Sequence, residues 1–167
     1  VTVNPLPTVA AITGSPDVCV GSTTVLASST TGGVWSTSDA TVADVSASGV
    51  VTGVLTGSAT ITYTVTDGNG CTNSTSASVT VNAAPTATVT ASGATTFCAG
   101  GTVDLTANAG TSYLWSNGAQ TQTITVTTSG SYSVTVTNGS GCSTTSAAQS
   151  VTVNPLPTVA AITGSPD

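Results

Sequence analysis

The sequence predicts an all-β protein made of β-sandwich modules, and three observations carry that expectation. Ala59-Thr60-Ile61-Thr62-Tyr63-Thr64-Val65-Thr66 is apolar at every odd position and threonine at every even one, the period of two expected of a strand with one buried and one wet face. Segments of this kind are separated by glycine-rich turn signals roughly every 8 to 12 residues. Residues 1–17 also recur letter for letter as residues 151–167, so the chain is expected to hold one 150-residue period and the start of the next, cut from a longer tandem array. On that expectation neither end is a natural terminus.

The phrase Val-Thr-Val-Asn, followed two residues later by Pro-Thr, also appears at residues 79–86 and splits the period into two modules. Residues 1–4 are then the last strand of a preceding module, 5–82 a first module, 83–154 a second, and 155–167 the start of the next repeat. Each module is about the size at which a single core is only just self-supporting, so a covalent staple is expected.

Composition excludes several functions. Lys, Arg and His are absent and six acidic residues leave a net charge of −6. Nucleic-acid binding has no cations with which to neutralise phosphate, and attachment to anionic lipid fails for the same reason. Aromatic residues are 4% of the chain, and Thr, Ser, Val, Ala and Gly dominate, which favours strands and turns over helix. The mean hydropathy of +0.36 and the regular alternation argue against a disordered Ser/Thr tract. No apolar run reaches the length of a membrane span and no signal peptide is visible.

In chain order, residues 8–12 read as a first strand, broken by Gly14-Ser15-Pro16-Asp17. Residues 19–26 open the second. Gly32-Gly33 turns the chain into Val34-Trp35-Ser36, residues 41–45 and 50–54 flank a turn at 46–49, and residues 59–66 form the best strand. Asp67-Gly68-Asn69-Gly70 makes a hairpin, Cys71 follows it, and Ala77, Val79 and Val81 give the last strand its inward face. About seven short strands with such spacing are the signature of an immunoglobulin-like sandwich. The second module repeats this grammar, with strands expected at 85–91, 102–107, 113–116, 121–126, 132–137 and 149–153. Cys98-Ala99-Gly100-Gly101-Thr102-Val103-Asp104-Leu105 matches the Cys-x-Gly-x-Thr-x-x-Leu that begins at Cys19, Leu114-Trp115-Ser116 matches Val34-Trp35-Ser36, and Asn138-Gly139-Ser140-Gly141-Cys142 matches residues 67–71.

Trp35-Ser36-Thr37-Ser38-Asp39, Val42-Ala43-Asp44-Val45, Gly49-Val50-Val51-Thr52-Gly53-Val54 and Gly57-Ser58-Ala59-Thr60-Ile61 together resemble the group 2 bacterial immunoglobulin-like domain of invasin- and intimin-type adhesins. In the second module, residues 113–119 and 129–137 resemble the cysteine-containing immunoglobulin-like or PKD-like repeats of very large secreted proteins of the Bacteroidota. The resemblance implies tandem immunoglobulin-like sandwiches in a surface-exposed adhesin or filament protein. Fold alone does not establish function.

Four cysteines allow three pairings, and each module owns one before its second strand and one after its hairpin. The expected assignment is one disulfide per module, Cys19 with Cys71 and Cys98 with Cys142, each stabilising its module by about 4 kcal/mol in the chain-entropy model. Such bonds imply an oxidising, extracellular setting. A zinc site lacks both Cys-x-x-Cys spacing and His. Trp35 and Trp115 are expected in the sandwich cores rather than as sugar-stacking platforms, and Tyr132, after Gly130, as a core residue with a tyrosine-corner hydrogen bond.

Residues 67–70 resemble the start of a calcium loop without its remaining ligands, and a tight turn explains them better. Asn73-Ser74-Thr75 and Asn138-Gly139-Ser140 fit the glycosylation pattern weakly. A serine nucleophile has no His or Lys to activate it, and no motif brings two carboxylates to one cleft. No catalytic residue, metal or cofactor is expected, and the absence of Lys forbids Lys–Asn isopeptide staples.

The leading expectation is therefore a structural repeat of an extracellular stalk, filament or adhesin, at the cell surface or secreted. Its expected partners are neighbouring modules of the same chain and laterally associated copies, with no nucleic acid and no direct membrane contact. The alternative is a carbohydrate- or receptor-binding module. Ice binding through Thr-x-Thr runs is a third and needs a flatter face than twisted sheets offer.

Overall fold

A computed structural model describes residue 1 and residues 3–159; the expected start of the next repeat lies largely outside the described residues. The chain divides into two compact units, Val1–Ala84 and Pro85–Asp167. Among the described residues there is no helix.

In the first unit the strands are β1 (Asp17–Cys19), β2 (Thr23–Val25), β3 (Val34–Thr37), β4 (Ala43–Val45), β5 (Val50–Gly53), β6 (Gly57–Thr66) and β7 (Thr72–Asn82). They form one sheet of order β1-β7-β6-β3 and another of order β2-β5-β4. The β6–β7 hairpin is the spine, paired without interruption from Gly57↔Val81 to Thr66↔Thr72. Ala59, Ile61, Tyr63 and Val65 are buried while the intervening threonines face outward, exposed or half-buried. Ile61 and Val79 from this sheet meet Ala43 and Val51 from the other in a single core. β1 pairs in parallel with the C-terminal end of β7, Asp17↔Thr80 to Cys19↔Asn82, and covers that part of its outer edge.

The second unit contains β8 (Val89–Ala91), β9 (Thr96–Cys98), β10 (Val103–Ala107), β11 (Ser112–Trp115), β12 (Thr123–Val126), β13 (Gly130–Tyr132), β14 (Val134–Thr137), β15 (Ser143–Thr145) and β16 (Gln149–Asn154). Three sheets, β12-β10-β8, β11-β14-β15 and β13-β16-β9, converge on one core centred on Leu105, Trp115, Val134 and Val136. As in the first unit, an early strand runs parallel to the last one, with Cys98 opposite Asn154.

Several expected strands differ. Residues 8–12 form no regular strand: Ala10 N donates to Thr30 Oγ1 at 2.9 Å and Ser28 Oγ donates to Ala10 O at 3.1 Å, so hydroxyls take the place of a backbone ladder. The strand expected at 85–91 starts only at Val89 because the Asn108 side chain binds both Thr88 N and Thr86 O. The strand expected at 132–137 is broken at Ser133, where the chain leaves its pairing with β16 for pairing with β11 and β15. β1, β9 and β15 were not anticipated as separate strands.

Candidate functional site

Since no catalytic group was expected, the residues with the most chemistry are the cysteines and the aromatics. Cys19 and Cys142 are each disulfide-bonded, whereas Cys71 and Cys98 carry thiols. This corrects the expected pairing of Cys19 with Cys71 and of Cys98 with Cys142. The reason lies in the register of each unit. Cys19 sits opposite Asn82, the last residue of β7, and Cys71 immediately precedes the first, Thr72. At about 3.3 Å per residue those positions are roughly 30 Å apart, and a disulfide spans at most about 7 Å between Cα atoms. In the second unit Cys98 lies opposite Asn154, the last residue of β16, while Cys142 precedes β15.

Identical turns hold the two hairpin cysteines. Asp67 N donates to Cys71 O, and Asp67 Oδ1 accepts from Asn69 N and Cys71 N, all at 2.9 Å. Asn138 does the same for Ser140 and Cys142 at 3.1 and 3.0 Å. The side chains of the supposed calcium loop are thus turn-forming groups. Among the described residues no cluster of three or more metal-ligating side chains occurs. Cys142 is fully buried and Cys71 only half-buried; Cys19 is half-buried and Cys98 exposed.

Each hairpin also lies where the chain enters its unit. Asn73 Nδ2 donates to Pro7 O at 2.9 Å, beside the first hairpin. In the second unit Asn108 Nδ2 donates to Thr86 O at 2.7 Å and Thr111 N to Thr137 O at 2.7 Å, next to residues 138–142. Sequence reasoning missed that each unit has an entry end bearing one cysteine and an exit end bearing the other. The signal was present: Cys19 and Cys98 open matching Cys-x-Gly phrases, but their parallel partners stand more than fifty residues downstream.

Trp115 is buried at 2% exposure and its Nε1 donates to Thr121 O at 2.8 Å. Tyr132 is buried, and its hydroxyl donates to Thr128 O four residues upstream at 3.1 Å. Trp35, expected to be enclosed like Trp115, is only half-buried. Its ring is tilted 44° against Tyr63 with centroids 4.6 Å apart, beside a shallow cleft of about 190 Å³ that also touches Leu26, Ser28 and Ser48. The Tyr63 hydroxyl is engaged on both sides, donating to Thr30 O at 2.9 Å and accepting from Gly33 N at 2.8 Å.

Parallel closure of the first sheet by β1, two sheets over one core, and the Trp35 strand paired to β6 define an immunoglobulin-like fold. Residues 1–76 match the bacterial Ig-like domain (group 2). Beyond that Ig-like match, no curated protein matches the chain. Solved structures similar to it include murine CEACAM1b at 15% identity, covering 87% of this chain and 100% of that one, TM-score 0.40. Drosophila OTK extracellular domains 3-5 are 14% identical, covering 89% and 63%, TM-score 0.41. The S-layer protein rSbsC(31-844) is 18% identical, with 87% of this chain but only 27% of that one covered, TM-score 0.37.

Proposed function

We propose that this chain is a structural repeat of an extracellular stalk, filament or adhesin, built by tandem repetition of its two Ig-like units. The observation that carries the proposal is that the chain enters each unit at one end of its sheets and leaves at the other. Pro7 is fastened beside the hairpin end of β7, and Asn82 lies at the opposite end of that strand. Entry and exit at opposite ends let each unit span roughly 30 to 40 Å between the two.

The linkers support the same role. Asn4-Pro5-Leu6-Pro7 and Asn82-Ala83-Ala84-Pro85 are short and proline-containing, which restricts the backbone between units. The surface is held by hydroxyl pairs across strands, such as Thr106 with Thr123 at 3.0 Å, Thr135 with Thr145 at 2.8 Å and Thr137 with Ser143 at 2.9 Å. A surface without Lys or Arg denies trypsin-like proteases a cleavage site, and its hydroxyl-rich faces offer neighbouring copies hydrogen-bonding groups for lateral association into a fibre. Disulfide-bonded cysteines favour an oxidising, extracellular location.

Small-angle scattering of chains carrying one, two and four 150-residue periods tests this. The maximum dimension should rise linearly with period number, and a compact globule or a freely jointed coil would refute it.

One observation favours carbohydrate binding as a second reading: Trp35 is half-exposed beside the cleft. That cleft is smaller than the roughly 300 Å³ at which ligand pockets begin. Saturable quenching of tryptophan fluorescence by an oligosaccharide panel, lost in Trp35→Ala, would establish it.

A further inference from the structure

We infer that each unit carries a mechanical clamp, a short parallel strand pair that takes the load when the unit is pulled between its entry and its exit. β1 against β7 forms the clamp of the first unit, and β9 against β16 that of the second. Each clamp is a property of its own unit; its use in the protein rests on the stalk or filament role proposed above.

The two clamps are built alike from different residues. In the first unit Thr80 N donates to Pro16 O at 2.8 Å and Val20 N to Asn82 O at 3.0 Å, on either side of the pairs Asp17↔Thr80, Val18↔Val81 and Cys19↔Asn82. In the second, Thr152 N donates to Thr95 O and Ala99 N to Asn154 O, both at 2.8 Å, on either side of Thr96↔Thr152, Phe97↔Val153 and Cys98↔Asn154. Donors and acceptors fall at the same spacing in both, yet Pro16-Asp17-Val18-Cys19-Val20 and Thr95-Thr96-Phe97-Cys98-Ala99 share only the cysteine. The strand they grip is the same in each unit, Val79-Thr80-Val81-Asn82 and Val151-Thr152-Val153-Asn154. The phrase that divides the sequence into modules is thus the gripped half of the clamp.

The direction of pairing decides what happens under load. The chain enters the first unit beside the start of β7, where Asn73 Nδ2 holds Pro7 O, and leaves from the end of that strand at Asn82. Tension between those points draws β1 toward the entry and β7 toward the exit. Because the strands are parallel, that motion slides one along the other and loads the bonds across them together. An antiparallel hairpin pulled at its free ends peels instead, one bond pair after the next. β9 and β16 stand in the same relation, between the entry fastened by Asn108 and the exit at Asn154.

The surroundings of each clamp resist sliding. Just past β1, Gly21 N donates to Gly53 O at 2.8 Å and Gly53 N to Ser22 O at 3.0 Å, which ties the same segment to the other sheet. Gly53 leaves no room for a side chain, since a Cβ there would stand 2.7 Å from Cys19 O. Val18 and Val81 are paired and buried in one core, so a slip of one residue would turn both outward. In the second unit β16 is braced from its other side by β13 and by Ser129 Oγ, which accepts from Val153 N at 2.8 Å. The β6–β7 hairpin and most of the first core lie between Cys19 and Thr80 in sequence, and that stretch cannot extend until the clamp parts.

Force spectroscopy of the full chain between flanking handles tests this, with disulfides reduced so that hydrogen bonds carry the load. The parent chain should show two force peaks, one per unit. Thr80→Pro removes the donor to Pro16 O and spares the pairing with β6, because Thr80 N faces β1. One peak should then fall to about half its force, as one of the two end bonds is gone, and the other should stay. Gly49→Ala, outside the clamp of the same unit, should lower equilibrium stability with a much smaller loss of force. If Thr80→Pro does not fold, Val20→Pro, at an exposed position, removes the other end bond and must give the same drop. A parent chain that extends without force peaks overturns the clamp, and so does a loss of force that merely follows loss of stability across these variants. The scattering series decides the array separately: two peaks in a chain whose dimension does not grow with period number leave the clamp standing and refute the role.

Discussion

The Asn73 side-chain amide donates a 2.9 Å hydrogen bond to the carbonyl of Pro7, sixty-six residues away, and fastens the incoming chain to the start of β7. Proline has no N–H with which to join a ladder, so a side chain supplies the attachment that the backbone cannot. Asn108 plays the corresponding part at the entry of the second unit, through Thr86 and Thr88.

Replacing Asn73 by Ala should therefore loosen the entry segment while leaving the core intact. We expect a loss of about 1 kcal/mol in stability, the ordinary contribution of one hydrogen bond. Hydrogen exchange should quicken at Ala10 and Thr13, whose amides bind Thr30 Oγ1 and Ala27 O. Unchanged protection there would show that Pro7 is held by something else.

The two tryptophans should respond unequally to truncation. Trp115→Ala empties the centre of the second core and is expected to cost about 3 to 5 kcal/mol, because the indole is fully buried and its N–H is bonded. Trp35→Ala should cost about 1 to 2 kcal/mol, since the ring is only partly buried and borders the cleft. Denaturant unfolding of the full chain, followed by the remaining tryptophan and by circular dichroism, checks the order.

Gly49 has φ +80°, and a Cβ there would collide with the Leu26 carbonyl oxygen and press on the Trp35 ring. Gly49→Ala should destabilise the first unit by about 2 kcal/mol or more. Gly68→Ala, where a Cβ meets open space and φ is not positive, should stay within about 0.5 kcal/mol. Equal effects at the two sites would contradict the backbone geometry of the turn at residues 46–49.

Asp39 should contribute to acid sensitivity. The Thr41 hydroxyl, donating at 2.6 Å, and then the Thr41 amide at 2.9 Å hold its carboxyl below the ordinary value of 3.8. A depressed folded pKa stabilises above the unfolded value, and the contribution is lost as pH falls through the folded one. Stability measured from about pH 5 down to pH 2 should therefore decline less steeply in Asp39→Asn than in the parent chain. Superimposable curves would count against it.

Much of the fold was legible because it is local. The alternation of Ile61, Tyr63 and Val65 with threonines, the turns at 67–70 and 138–141, and the burial of Trp115 and Tyr132 follow from residues that are neighbours in sequence or share one strand face. The failures are all non-local. Residues 8–12 have strand composition, but Ser28 and Thr30 hydroxyls occupy their backbone groups. Ser133 divides a continuous β-prone run because its two halves pair with different strands. Trp35 occupies the same sequence phrase as Trp115, yet borders a cleft instead of filling a core.

The sequence by itself determined an all-β chain of two related units, their hairpins, their apolar faces, and the absence of any cation for nucleic acid or anionic lipid. Only the tertiary structure decided which end of a unit each cysteine occupies. Side-chain period and turn chemistry act over a few residues and are written in the local sequence. The parallel pairings that set Cys19 opposite Asn82 and Cys98 opposite Asn154 join segments more than fifty residues apart. Their register is selected by how the whole core packs, since a slip of one residue would turn Val18 and Val81 from the core toward solvent.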